Sequence, residues 1–216
     1  MERNSYTLKE KKELKEFVFS LTDYKKINQF LKEHPNLIFT KKEELALEVI
    51  SGDIVHYSND MDFFDIPITH LGKLQSVNGD FDLRGTLIPF FVNLKIVDGS
   101  LNLFNTQIKS LGVLKEVGEN LNLANTLIES LEDVKCSGGN LWLQNTPVKS
   151  LGKLKTVKKS LDILKSVGGF LDLRDTQIES VGKNLKHVGK DLYLNKKIKK
   201  EELSKSLVVK GRTIVQ

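Results

Sequence analysis

The apolar positions between Met61 and Asn195 recur with a period of 20 residues. Units begin at Met61, Phe81, Leu101, Leu121 and Leu141 without an insertion, and again at Leu171 and Leu192. Their common pattern is L-x-L-x-N-T-x-I-x-S-L-x-x-L-x-x-V-x-G-x. Alternation in L-x-L predicts a short strand whose two apolar side chains share one face. Apolar positions 8, 11, 14 and 17 bring the chain round through turns or a short helical piece. Glycine at 18 or 19 permits the bend into the next strand. One such coil cannot bury its leucines alone. Stacked coils can, with their strands in a parallel sheet.

Other periods hold at the ends. Leu14, Phe17, Val18 and Leu21, then Ile27, Phe30 and Leu31, then Leu45, Leu47 and Ile50 have helical spacing. Thr22 or Asp23 caps the second helix, Pro35 ends it, and Thr40 with Glu43 reads as a capping box. Three helices are therefore expected to cover the first end, since an open end exposes core and unpaired strand edges. From Leu151 to Phe170 the register breaks. The spacing of Leu151, Leu154, Val157, Leu161, Leu164 and Val167 favours a helix there over an extra strand at Leu161 and Ile163. At the other end, KKEELSKSLVVKGRTIVQ reads as a short helix and a final strand, Leu207–Val215, bent at Gly211. The organisation expected is a helical cap over 1–60, a solenoid over 61–195 and a basic C-terminal cap over 196–216.

The sixth position is threonine in most units: Thr86, Thr106, Thr126, Thr146 and Thr176. A small β-branched hydroxyl just after a strand turns inward and bonds the backbone of the bend, so these residues should stack as a structural ladder. The run V-x-G-x-L-x-L-x-x-T-x-I-x-S-L-x-x-L resembles the leucine-rich repeat superfamily, and its short receptor-L-domain-like branch in particular. The resemblance covers about three fifths of the chain, with Thr at the place of that superfamily's usual Asn. It implies an α/β solenoid: a right-handed coil with a parallel sheet on one face, helically capped, whose sheet face binds partners.

Charge adds an asymmetry. The net charge is +5, yet residues 51–100 hold seven acids against Lys73, Arg84 and Lys95, and residues 183–216 hold ten Lys or Arg against three acids. Cys136 is the only cysteine, which excludes an intrachain disulfide. No apolar run reaches the length of a membrane span, and the start lacks a signal-like stretch. A soluble, cytoplasmic protein with no membrane association is expected.

Function is expected where the repeat leaves positions free. Strand positions 2 and 4 point away from the buried leucines. Position 2 carries Asp62, Asp82, Asn102, Asn122, Trp142, Asp172 and Tyr193; position 4 carries Phe64, Arg84, Phe104, Ala124, Gln144, Arg174 and Asn195. Phe64, Phe104, Trp142 and Tyr193 on one face are anchors for a protein partner, with Arg84, Asn102, Asn122, Gln144 and Arg174 as their polar surround. Asp60, Asp62, Asp65, Asp80 and Asp82 form an acidic corner, read first as a solvated patch and otherwise as a place for a basic partner or a cation, without calcium-loop spacing. A second lane, Lys95, Lys115, Lys135, Lys155 and Lys186, is the alternative, a polyanion site; it lacks the aromatic and Arg-rich elements of nucleic-acid readers. His34, His56, His70 and His187 fall at unrelated positions, and no nucleophile elbow, phosphate loop or metal spacing occurs. The reading is a non-catalytic interaction protein without metal or cofactor.

Overall fold

A computed structural model describes residues 6–131, 134–136, 139–148, 166–167, 169–176, 178, 181 and 185–216. Three helices come first, α1 (Leu8–Ser20), α2 (Tyr24–Glu33) and α3 (Lys41–Ser51). Each starts at a side-chain cap. Thr7 with Glu10 and Thr40 with Glu43 are capping boxes, and Asp23 accepts from the N–H groups of Lys25 and Lys26. Gly52 ends α3 in the left-handed conformation at φ 82°, as a C-terminal glycine does without side-chain cost. Val18 and Phe19 of α1, Ile27 and Phe30 of α2, and Ala46, Leu47, Val49 and Ile50 of α3 are buried in the same apolar cluster as the coils.

The rest is a parallel β-solenoid with coils about 20 residues long. Met61 pairs with Phe81, Phe81 with Leu101, Leu101 with Leu121 and Leu121 with Leu141. Leu141 then pairs directly with Leu171, Leu171 with Leu192 and Leu192 with Thr213. These strands form one eight-stranded parallel sheet, called the long sheet below. The expected core positions are the observed ones. Positions 8, 11, 14 and 17 of the Leu101 coil are Ile108, Leu111, Leu114 and Val117, all buried. Each is worth roughly 1.5–3 kcal/mol when removed from water.

Three expectations need correction. Positions 16 and 17 are not turn or helix but a second lane of two-residue parallel strands. His56–Tyr57, Ser76–Val77, Ile96–Val97, Glu116–Val117 and Lys135–Cys136 form one sheet; Ser166–Val167, His187–Val188 and Val208–Val209 form another. Sheet therefore lies on two sides of the coil. The reason is local: alternation around a β-branched Val at position 17 suits a strand as well as a turn. The helix expected from Leu151 to Phe170 falls mostly outside the described residues, but Val167 is in a strand. Finally, Lys200–Glu202 is a 3-10 turn, and the expected single strand from Leu207 to Val215 is two, Val208–Val209 and Thr213–Val215, one in each lane. This segment adds a coil to the stack.

The glycines at position 19 have a different cause from the bend expected of them. A Cβ on Gly79 would lie 2.2 Å from Asp60 Oδ1, and on Gly99 2.4 Å from Asp80 Oδ1. Those carboxylates accept from the next coil's backbone, Asp60 from the Asp80 N–H and Asp80 from the Ser100 N–H. Asn120, Asn140 and Asp191 do the same to Asn140, Phe170 and Arg212. Glycine at position 19 thus makes room for a ladder of Asp and Asn side chains that links coil to coil.

Candidate functional site

The outer face of the long sheet is built by a turn that spends much of its polar chemistry on itself. After each strand the chain turns through a residue with positive φ: Asp65, Gly85, Asn105, Asn125, Asn145 and Asp175, between 55° and 75°. Gly, Asn and Asp tolerate that region best. The following threonine is buried, and its hydroxyl donates to the carbonyl three residues back, Thr106 Oγ1 to Leu103 O at 2.8 Å and Thr126 Oγ1 to Leu123 O at 2.7 Å. The threonine ladder is therefore observed, with its hydroxyls committed to the bend.

Position 2 is committed too. Asp62, Asp82, Asn102, Asn122 and Asp172 each accept, at Oδ1, the N–H of the residue two places on. Asn102 and Asn122 thus have part of their acceptor capacity already used by the turn, with their amide N–H groups left for a partner. Position 4 is not uniformly outward. Ala124 and Asn195 are buried, and Asn195 donates to Thr176 Oγ1 and to the Ile178 carbonyl.

The aromatic anchors fall into two groups. Phe64 and Phe104 are exposed at 41% and 39%. Phe64 meets two cations: the Arg84 guanidinium lies 4.6 Å and the Lys42 ammonium 5.4 Å from its ring centre. Lys42 comes from α3 and also pairs with Asp62 at 3.1 Å, so the helical cap reaches onto this face. The second group is a row that the fold assembles from three coils. Trp142 meets Phe170 edge-on at 5.0 Å, and Phe170 meets Tyr193 edge-on at 6.2 Å. Arg174 lies over the Tyr193 ring at 4.8 Å. Trp142, Phe170 and Tyr193 are all half-buried. Phe170 was missed in the sequence. Its signal was there: it occupies position 20, where other coils carry Asp, Ser or Asn.

The arginines are held by carboxylates. Arg84 grips Asp82 and Arg174 grips Asp172, each through Nε and a terminal nitrogen. Both guanidiniums are held above the ordinary arginine range, chiefly by that hydrogen bonding. Asp172 is 2% exposed, so its charge is buried only because Arg174 pairs with it. Arg174 also donates to Gln216 Oε1 at 3.1 Å. Beside this pair a recess of about 550 Å³ is lined by Gln144, Arg174, Asp175, Asn195, Lys196 and Gln216, among others. Gln144 forms part of its wall, and its Oε1 atom is buried without a hydrogen-bond donor.

The acidic corner is largely structural: Asp60 and Asp80 belong to the coil-linking ladder, and Asp62 and Asp82 close their turns. In the lysine lane, Lys95 donates to Gln75 and Lys186 to Ser206 in the neighbouring coil. Lys115 follows in register, with its N–H on the Lys95 carbonyl. Lys135 lies in a strand of the second lane, and Lys155 lies outside the described residues. The histidines have separate settings. His34 stacks on Phe30, His56 bonds Ser76 Oγ, and His70 joins α1 to the first coil. Among the described residues no three His, Cys, Asp or Glu side chains converge as a metal site, and no helix is long and apolar enough to cross a membrane.

Comparison with protein-family models, curated proteins and solved structures returned no match to this chain.

Proposed function

We propose that this chain is a non-catalytic interaction solenoid of the leucine-rich-repeat kind, and that it binds a protein partner through the outer face of its long sheet. The observation that carries this reading is the row Trp142–Phe170–Tyr193 with Arg174 stacked at its end. Three large rings cost little conformational entropy to hold and offer much contact area, which is why aromatic residues and Arg dominate interface energetics. Their half-burial matters as well. Rings already packed edge against face are pre-organised, so a partner meets a formed surface.

Phe104 and the Phe64–Arg84 pair extend the same face toward the helical cap. Gln144, Asn102 and Asn122 supply polar contacts between the two aromatic groups. The test is affinity capture from cell extract with the wild-type chain, with Trp142→Ala/Tyr193→Ala, and with Leu127→Ser as a control at an exposed position off this face. The expected result is a set of captured proteins kept by the control and lost by the double variant, with unchanged circular dichroism. Capture that survives the double variant would overturn the reading.

A further inference from the structure

The partner on this face can be described more closely, on the assumption that the sheet-face reading holds. We infer that the C-terminal part of the face, from Trp142 to the recess of Gln144, Arg174 and Lys196, docks an acidic, extended polypeptide segment.

Charge complementarity comes first. Residues 185–216 carry nine Lys or Arg and three Asp or Glu, a net of +6 (9 − 3), against +5 for the whole chain. The positive charge of the molecule is therefore concentrated in the last coils, and Arg174, Lys196 and Lys197 line the recess against one acid, Asp175. Such a field speeds encounter with acidic partners and disfavours basic ones.

The same end is poorly built for nucleic acid. Base stacking needs ring faces open to the ligand. Here the rings meet edge-on, at 88° and 86°, and the Tyr193 face is covered by Arg174. Bidentate phosphate recognition falls to arginine. Arg84, Arg174 and Arg212, the arginines among the described residues, each already hold a carboxylate.

A peptide main chain adds what the recess lacks. Gln144 Oε1 is a buried acceptor without a donor, an arrangement proteins rarely keep. Turned toward the recess, the carboxamide accepts a main-chain N–H from a segment laid there. Acidic side chains of that segment then reach Lys196, which is exposed at the rim. One polymer thus supplies both the donor and the negative charge.

The experiment is fluorescence anisotropy at low salt with three dye-labelled probes. They are a peptide of about ten residues alternating Glu and Ser, the same peptide N-methylated at alternate residues, and an oligothymidylate of similar length. At roughly 3.3 Å per extended residue, these lengths more than cover the few coils of this face, stacked about 4.8 Å apart. Saturable binding of the first peptide is expected, weakened about tenfold by Gln144→Leu, by Lys196→Glu and by N-methylation, with the oligothymidylate weaker still. A tenfold change corresponds to the loss of one hydrogen bond to a charged or buried group. Three outcomes overturn the inference: no binding of the peptide, oligothymidylate binding as tight as the peptide's, or peptide binding indifferent to Gln144→Leu and N-methylation. Binding lost in Trp142→Ala but untouched by Gln144→Leu and Lys196→Glu sinks the acidic-segment inference while leaving the sheet-face reading intact.

Discussion

His70 and Leu21 join the helical cap to the solenoid: the imidazole Nε2 donates to the Leu21 carbonyl at 2.9 Å. The other ring nitrogen, Nδ1, accepts the Gly72 N–H at 3.0 Å. Two coils further on, Ser110 Oγ accepts the Gly112 N–H at 2.9 Å. Position 10 is therefore a turn acceptor in both coils, and the His70 imidazole, in the first coil, also reaches the Leu21 carbonyl at the C-cap of α1. The variant His70→Ser should keep the turn and lose the tether. A loss of about 1 kcal/mol is expected, one hydrogen bond's worth. Hydrogen exchange should speed up at the end of α1 while Gly72 stays protected; loss of protection at both would contradict the division of roles.

Position 19 predicts a clash. In Gly99→Ala the new Cβ would sit 2.4 Å from Asp80 Oδ1 and 2.7 Å from the Asp80 backbone nitrogen. The backbone cannot yield as a flexible side chain would, so a loss of about 1–3 kcal/mol is expected, as for overpacking. Chemical denaturation measures it. Because the φ of Gly99 is not in the left-handed region, a neutral result would show that the coil spacing there can relax.

The threonine ladder predicts a small, uniform effect. Thr106→Val and Thr126→Val keep the shape and remove the bond to Leu103 O or Leu123 O. Each should cost about 1 kcal/mol in urea melts. By contrast, Asn125→Gly should be nearly neutral and Asn125→Val costly by about 1–2 kcal/mol, because φ is 58° there.

Stability should fall on the acid side through Glu43. Burial of this carboxyl disfavours its charged form, but hydrogen bonds from Lys15 and from Thr40 outweigh that and hold it below the ordinary glutamate range. A depressed folded value means that its contribution is present in full above the unfolded value of about 4.3. It is lost as pH falls through the folded value. Glu43→Gln should be less stable than wild type at neutral pH and converge with it in acid. Parallel melting curves for the two across that range would refute the assignment.

Much of the architecture was legible along the chain. The strands at Met61, Phe81, Leu101, Leu121 and Leu141, the buried positions, the three helices with the Thr40 capping box, and the inward threonines all follow from local spacing. A period repeated in sequence must repeat in space, because each coil buries its leucines only against the next. The candidate site was half legible. The free positions could be read off, but not which of them the turn would consume. Asn102 and Asn122 look alike in sequence to open polar residues; the turn's backbone N–H groups claim their side-chain oxygens.

What the sequence determined by itself is the coil, since its information lies within 20 residues. What only the tertiary structure decided are contacts between coils. The second strand lane, the coil-linking ladder of Asp60, Asp80 and Asn120, and the cations around Phe64 all join residues that are distant along the chain. The row of Trp142, Phe170 and Tyr193 is the plainest case. Trp142 and Phe170 stand 28 residues apart by number (170 − 142), and they meet only because Leu141 pairs with Leu171.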